Sequence, residues 1–112
     1  MSEFGELLKA LRSEKSISQR RLAELVGIDF TYISKIENGT MAPPSEETII
    51  RIAGVFNENP DKLIIAAKKV PTDFNEVIFK HKEIPRFLRK ADNFSEDQWE
   101  QLRKLLNESD NE

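Results

Sequence analysis

Cysteine is absent from the 112 residues, which removes disulfide frameworks, thiolate nucleophiles and cysteine-ligated zinc together. Histidine occurs once, at His81, so a catalytic triad or a multi-histidine metal site lacks its base or its ligands. No enzymatic activity, cofactor or metal is expected. The longest wholly apolar run, Leu63 to Ala67, is far shorter than the ~20 residues a membrane span needs. Glu3 and Glu6 stand in the first six residues, and no basic segment precedes an apolar one, so no secretory signal is visible and a cytoplasmic location is expected. Strand signals are missing as well: no stretch alternates apolar and polar residues, and no Asn-Gly or Asp-Gly pair joins two β-rich runs.

What remains is 38% hydrophobic and 33% charged residues, enough for a core beneath a heavily charged surface, at a length that holds one compact domain or a small domain with an appendage. The net charge of -3 is unevenly spread. Residues 1–70 hold ten basic and ten acidic side chains, residues 71–91 five and three, and residues 92–112 two and seven. The deficit therefore sits at the C-terminal end. A local basic surplus survives in Lys9, Arg12, Lys15, Arg20, Arg21 and Lys35 against Glu14, Glu24 and Asp29, and a whole-chain charge says little about such a patch.

Periodicity predicts helices throughout. Phe4, Leu7, Leu8 and Leu11 share one face, with Ser2 as cap and Lys15 in the last turn. Ser18 caps a short second helix whose apolar residues are Leu22, Ala23, Leu25 and Val26. Gly27 ends it, because glycine takes a positive φ at little cost, and Asp29 caps the third. That third helix, about 30–38, turns Ile33 and Ile36 inward, leaves Thr31, Tyr32, Ser34 and Lys35 outward, and stops at Asn38-Gly39. Beyond Pro43-Pro44, Ser45 opens a fourth with Ile49, Ile52, Ala53 and Phe56 on one side. Asn59-Pro60 starts a fifth with Leu63, Ile64 and Ala67 inward.

Pro71-Thr72-Asp73 closes this unit, giving an expected division into 1–70 and 71–112. Three shorter helical segments follow. Phe74, Val77 and Ile78 mark the first; Ile84, Phe87, Leu88 and Ala91 mark the second, with Pro85 near its start. In the third, Ser95 and Gln98 form a capping box, Phe94 and Trp99 a hydrophobic staple, and Trp99, Leu102 and Leu106 an inner face. Residues 107–112 read as a polar end that frays.

Two short helices joined by a tight glycine turn, the second with a polar face, are the arrangement that lets a helix enter the major groove of DNA. The words Ser18-Gln19-Arg20-Arg21-Leu22-Ala23, Gly27-Ile28, Tyr32-Ile33-Ser34-Lys35-Ile36-Glu37-Asn38-Gly39 and Pro44-Ser45 occur at matching spacing. Through them, residues 4–67 closely resemble the helix-turn-helix family of phage repressors, Cro proteins and related bacterial regulators, often called the Xre family. The resemblance implies an all-α fold: a five-helix lambda-repressor-like domain, followed here by short C-terminal helices.

It also implies roles. Gln19, at the start of helix two, and Arg20 beside it are placed to hold a backbone phosphate, with Tyr32 and Asn38 as further neutral donors to the DNA backbone. Base readout falls to Phe30, Thr31, Ser34 and Lys35; Lys35 suits the O6 and N7 acceptors of guanine, and Phe30 and the Thr31 methyl suit a thymine methyl. Phe30 departs from the glutamine or arginine that many members carry there. Arg12 and Glu37 match an ion pair joining helix one to the end of helix three. The loop Thr40-Met41-Ala42-Pro43 lacks the basic residue that some relatives place near the minor groove.

Scattered charges on a helical domain are ordinarily a solvated face, and that reading is kept for His81 and favoured for the second basic cluster, Lys80, Lys82, Arg86, Arg89 and Lys90. Ile84, Phe87, Leu88, Trp99, Leu102 and Leu106 are the expected dimer or partner interface, since one helix-turn-helix makes too few contacts for strong specific binding. The expected protein is a sequence-specific double-stranded DNA-binding transcriptional regulator, a repressor by preference, acting as a homodimer on a near-palindromic operator. The alternative is an antitoxin or immunity-type regulator whose C-terminal helices hold a protein partner. A third reading, a pure protein-interaction module, draws on the acidic 92–112 segment.

Overall fold

The structure, a computed structural model, describes residues 2–110. They form eight helices: α1 (Glu3–Lys15), α2 (Gln19–Val26), α3 (Phe30–Asn38), α4 (Glu46–Phe56), α5 (Pro60–Ala66), α6 (Phe74–Lys80), α7 (Glu83–Ala91) and α8 (Glu96–Asp110). No strand occurs among the described residues. The chain divides into two compact units, the first ending at Thr72 and the second beginning at Asp73. Residues 71 and 72 go with the first because Pro71 is buried and Thr72 donates to Glu46 from both its amide, at 2.9 Å, and its hydroxyl, at 2.8 Å.

In the first unit, short polar side chains start each helix. Ser2 Oγ accepts from Gly5 N, Ser18 Oγ from Arg21 N, Asp29 Oδ1 from Thr31 N, Ser45 Oγ from Thr48 N and Asn59 Oδ1 from Asp61 N. These caps satisfy amides that the helices leave unpaired and set where each begins. The helices then bury one continuous core of Phe4, Leu8, Leu11, Leu22, Val26, Ile33, Ile36, Ile49, Ile52, Phe56 and Leu63, each at 3% exposure or less. Burying such a side chain contributes roughly 2 kcal/mol. Two sequence expectations change here. Leu25 is 45% exposed, so α2 buries only Leu22, Ala23 and Val26, and Tyr32, expected to face outward, is half-buried against the core.

The second unit has a thinner interior, and no residue of α6 or α7 is fully buried. Its order comes from an aromatic chain: Phe94 meets Phe87 at 5.6 Å and Trp99 at 5.3 Å, both edge-to-face. The Ser95–Gln98 box closes reciprocally, Gln98 Oε1 accepting from Ser95 N at 2.8 Å and Ser95 Oγ from Gln98 N at 3.2 Å. Ile84, Phe87, Trp99 and Leu102 are half-buried. Leu106, expected on the inner face, is 56% exposed, as are Leu88 at 54% and Leu105 at 60%. Of the end expected to fray, residues 107–110 belong to α8, and Asn111 and Glu112 lie outside the described residues.

Candidate nucleic-acid interface

The site is built around one buried carboxylate. Glu37, in the last turn of α3, has a side chain only 2% exposed. Arg12 from α1 clamps it with two charge-assisted bonds, Nε to Oε2 at 2.6 Å and Nη2 to Oε1 at 2.7 Å, and spends Nη1 on the Ile17 carbonyl at 3.0 Å. The hydrogen bond to Glu37 is the main reason the Arg12 pKa is raised above its ordinary value. Gln19, first residue of α2, donates Nε2 to the same Glu37 Oε1 at 3.1 Å. Glu37 thus ties α1 and the start of α2 to the end of α3, and its partner Arg12 adds the loop before α2. The Arg12–Glu37 pairing expected from the resemblance is in place; the link to Gln19 was not anticipated, and no spacing rule signals it.

Gly27, at φ 75°, makes the turn between α2 and α3. Asp29 then starts α3. Its Oδ1 accepts from the Thr31 amide and the Thr31 hydroxyl, both at 2.8 Å, and these two bonds lower the Asp29 pKa. With Ile33 and Ile36 fully buried, Ser34 and Lys35 between them and Thr31 before them are left on the outer side: Thr31 and Lys35 are exposed and Ser34 is half-exposed. Asn38 is exposed at the end of α3. Of the residues expected to hold the DNA backbone, Gln19 is fixed by Glu37, Asn38 is free on the surface, and Tyr32 has part of its area in the core.

The N-terminal end of α3 meets α2 in one further contact. The Arg20 guanidinium carbon stands 4.3 Å from the centre of the Phe30 ring, while Phe30 also packs against the core. Arg21, next along, turns to Glu24 on its own helix at 3.2 Å. The sequence offers Arg20 and Phe30 as separate site residues and carries no sign of their contact, because positions in adjacent helices meet only once the turn geometry is known.

In the second unit, Lys80, Lys82, Arg86, Arg89 and Lys90 are all exposed, and His81 is an exposed residue ending α6. Among the described residues no group of three or more His, Asp or Glu is placed to hold a metal, and no helix is long and apolar enough to cross a membrane.

A family model described as a helix-turn-helix domain matches residues 5–68. The chain is 39% identical over 67 residues to RghRB, an uncharacterized HTH-type transcriptional regulator of Bacillus subtilis, over 60% of this chain and 48% of that protein. It is 42% identical over 53 residues to the HTH-type transcriptional repressor RghR of the same organism, over 47% of this chain and 39% of that protein. It is also 42% identical over 55 residues to the ImmF control region 10 kDa protein of Bacillus phage phi105, over 49% of this chain and 60% of that protein. The matched part is thus about half the length of these relatives. Among solved structures, a restriction-modification controller protein from Aeromonas hydrophila superposes with a TM-score of 0.50 at 34% identity, over 55% of this chain and 91% of that one. The SinR protein/SinI protein complex shares the fold with a TM-score of 0.53 at 22% identity, over 97% of this chain and 99% of that one.

Proposed function

Because the chain belongs to the helix-turn-helix family, of the Xre type, we propose that it is a non-enzymatic, cytoplasmic transcriptional regulator that binds double-stranded DNA. In this reading it represses by occupying a near-palindromic operator as a homodimer. The observation that carries it is the arrangement at α3: Ile33, Ile36 and Glu37 anchor the helix inward, Thr31, Ser34 and Lys35 stand outward, and Gln19 is held beside them by Glu37. Residues with no inward role, on a helix fixed this firmly, are available to read base edges, and Gln19 with the amides opening α2 is available to hold a phosphate.

The names of two relatives, a regulator and a repressor, agree with this reading. Dimerisation draws support from the second unit, whose Leu88, Leu105 and Leu106 are exposed and whose α7 carries Arg86, Arg89 and Lys90 while α8 carries Glu96, Asp97 and Glu100. A second copy would cover the apolar side chains and bring Asp97 within reach of these basic ones, Glu96 and Glu100 being already paired with Arg103. The likeness to an ImmF control region protein favours, as a second reading, an immunity-type regulator.

Selection from a random duplex-DNA library, followed by binding of the winning site across a salt series, tests the proposal. A near-palindromic winner whose affinity falls steeply with salt is expected. No enrichment over random duplex overturns it.

A further inference from the structure

The groove-entering end of a recognition helix is its N-terminal turn, and on α3 that turn is poor in hydrogen-bond donors of its own. Phe30 has none. The Thr31 hydroxyl gives its one proton to Asp29 at 2.8 Å. Tyr32 is half-buried against the core, and Ser34 and Lys35 lie one turn further along. A helix that discriminates among base pairs at this end needs a donor from elsewhere.

Arg20 supplies one. Its guanidinium sits 4.3 Å over the ring of Phe30, the first residue of α3, and so stands at that end although it belongs to α2. Among the described residues none of its five N–H donors, set in a fixed fork, has an oxygen or nitrogen acceptor. Among the described residues Arg20 has no ion-pair partner, whereas its neighbour Arg21 is turned to Glu24. Phe30 is itself packed against the core, so the platform under the guanidinium is fixed, and less side-chain entropy remains to be lost on binding.

We infer that Arg20, carried on the Phe30 ring, reads a guanine through its O6 and N7 atoms at the N-terminal end of α3, with Phe30 as its positioning residue. The inference rests on the DNA-binding reading above and changes the part assigned to both residues. Arg20 moves from backbone to base, and Phe30 from thymine contact to support. A bidentate Arg–guanine pair is the commonest specific contact in the major groove.

The test uses the full chain and its Arg20→Lys, Arg20→Ala and Phe30→Leu variants on the selected duplex and on every single-base-pair change of it, at one salt concentration. Circular dichroism checks that each variant is folded. The wild type is expected to prefer guanine at one base pair of each half-site by about tenfold or more. Arg20→Ala, which removes the donors, and Phe30→Leu, which keeps an apolar side chain, should both flatten the preference at that same base pair and leave the others as they were, while Arg20→Lys, which keeps the charge but not the planar fork, should reduce it. Equal weakening on every sequence by both Arg20 variants makes Arg20 a phosphate contact and overturns the inference. So does a guanine preference that survives Phe30→Leu. A wild-type chain that distinguishes no duplex overturns the DNA-binding reading first, and the inference with it.

Discussion

Gly5 of α1 lies so close to α3 that a Cβ in its place would stand 2.5 Å from the carbonyl oxygen of Ile36 and 3.3 Å from the Cα of Glu37. Backbone atoms cannot swing aside as a side-chain tip can. Gly5→Ala is therefore expected to push α1 off the end of α3 and to destabilise the chain by about 2 kcal/mol, although alanine is the better helix former. Gly54, with nothing within 4 Å of its virtual Cβ, is the counterpart: Gly54→Ala should stabilise by about 0.5–1 kcal/mol. Urea denaturation of both variants, with opposite shifts in midpoint, checks the pair.

Removing the carboxylate at residue 37 strands its partners. Glu37→Ala leaves the Arg12 guanidinium, only 14% exposed, without its counter-charge, and Gln19 without its acceptor. A loss of about 3 kcal/mol or more is expected, because the cost is that of a nearly buried unpaired charge. Denaturant titration measures it, and any loss of DNA binding by this variant would report unfolding.

Acid should loosen the start of α3. The folded-state pKa of Asp29 lies below its ordinary value of 3.8, so its capping contribution is fully present above that value. It fades as pH falls through the depressed folded value. Asp29→Asn, which retains a capping oxygen but cannot titrate, should flatten that part of the stability profile between pH 5 and 2, or about that range. An unchanged slope in the variant would remove Asp29 from the account.

Gln19 and Lys35 should separate holding from reading. Gln19→Ala loses one neutral contact and should weaken binding about fivefold on all duplexes with an unchanged salt slope. Lys35→Ala should relax the preference at one base pair and lower the salt slope by about one. Competition binding on a matched and a one-pair-altered site distinguishes the two.

Leu88→Glu with Leu105→Glu places charge where exposed leucines stand in the second unit. The doubly substituted chain is expected to sediment as a monomer and to bind the selected duplex more weakly than the wild type, whose proposed dimer would span half-sites about 34 Å apart. A wild-type chain that is already monomeric at high concentration would remove the homodimer from the proposal.

The helices were legible in the sequence because their signals are local. Ser2, Ser18, Asp29, Ser45 and Asn59 each cap the helix that follows, and Ile33 and Ile36 sit at the inward spacing. Less legible was what depends on tertiary placement. Leu25 and Leu106 satisfy a helical stripe and still emerge at 45% and 56% exposure, since each stripe is wider than the surface that meets it. Tyr32 carries a polar tip but lays part of its ring on the core. The bond from Gln19 to Glu37 and the Arg20–Phe30 contact join residues on different helices, and hydrophobic periodicity carries no information about such pairs. Gly5 offered a faint hint, as a glycine inside a strong helical pattern.

The clamp on Glu37 makes the outer side of α3 interchangeable. Stability at that helix rests on Ile33, Ile36 and Glu37, none of which faces outward, while Ser34 and Lys35 make no side-chain bond to the rest of the chain among the described residues. Those two positions can be rewritten at little cost to folding, so under the proposed function the operator can drift, or be recoded by an engineer, one codon at a time while the scaffold stays as it is.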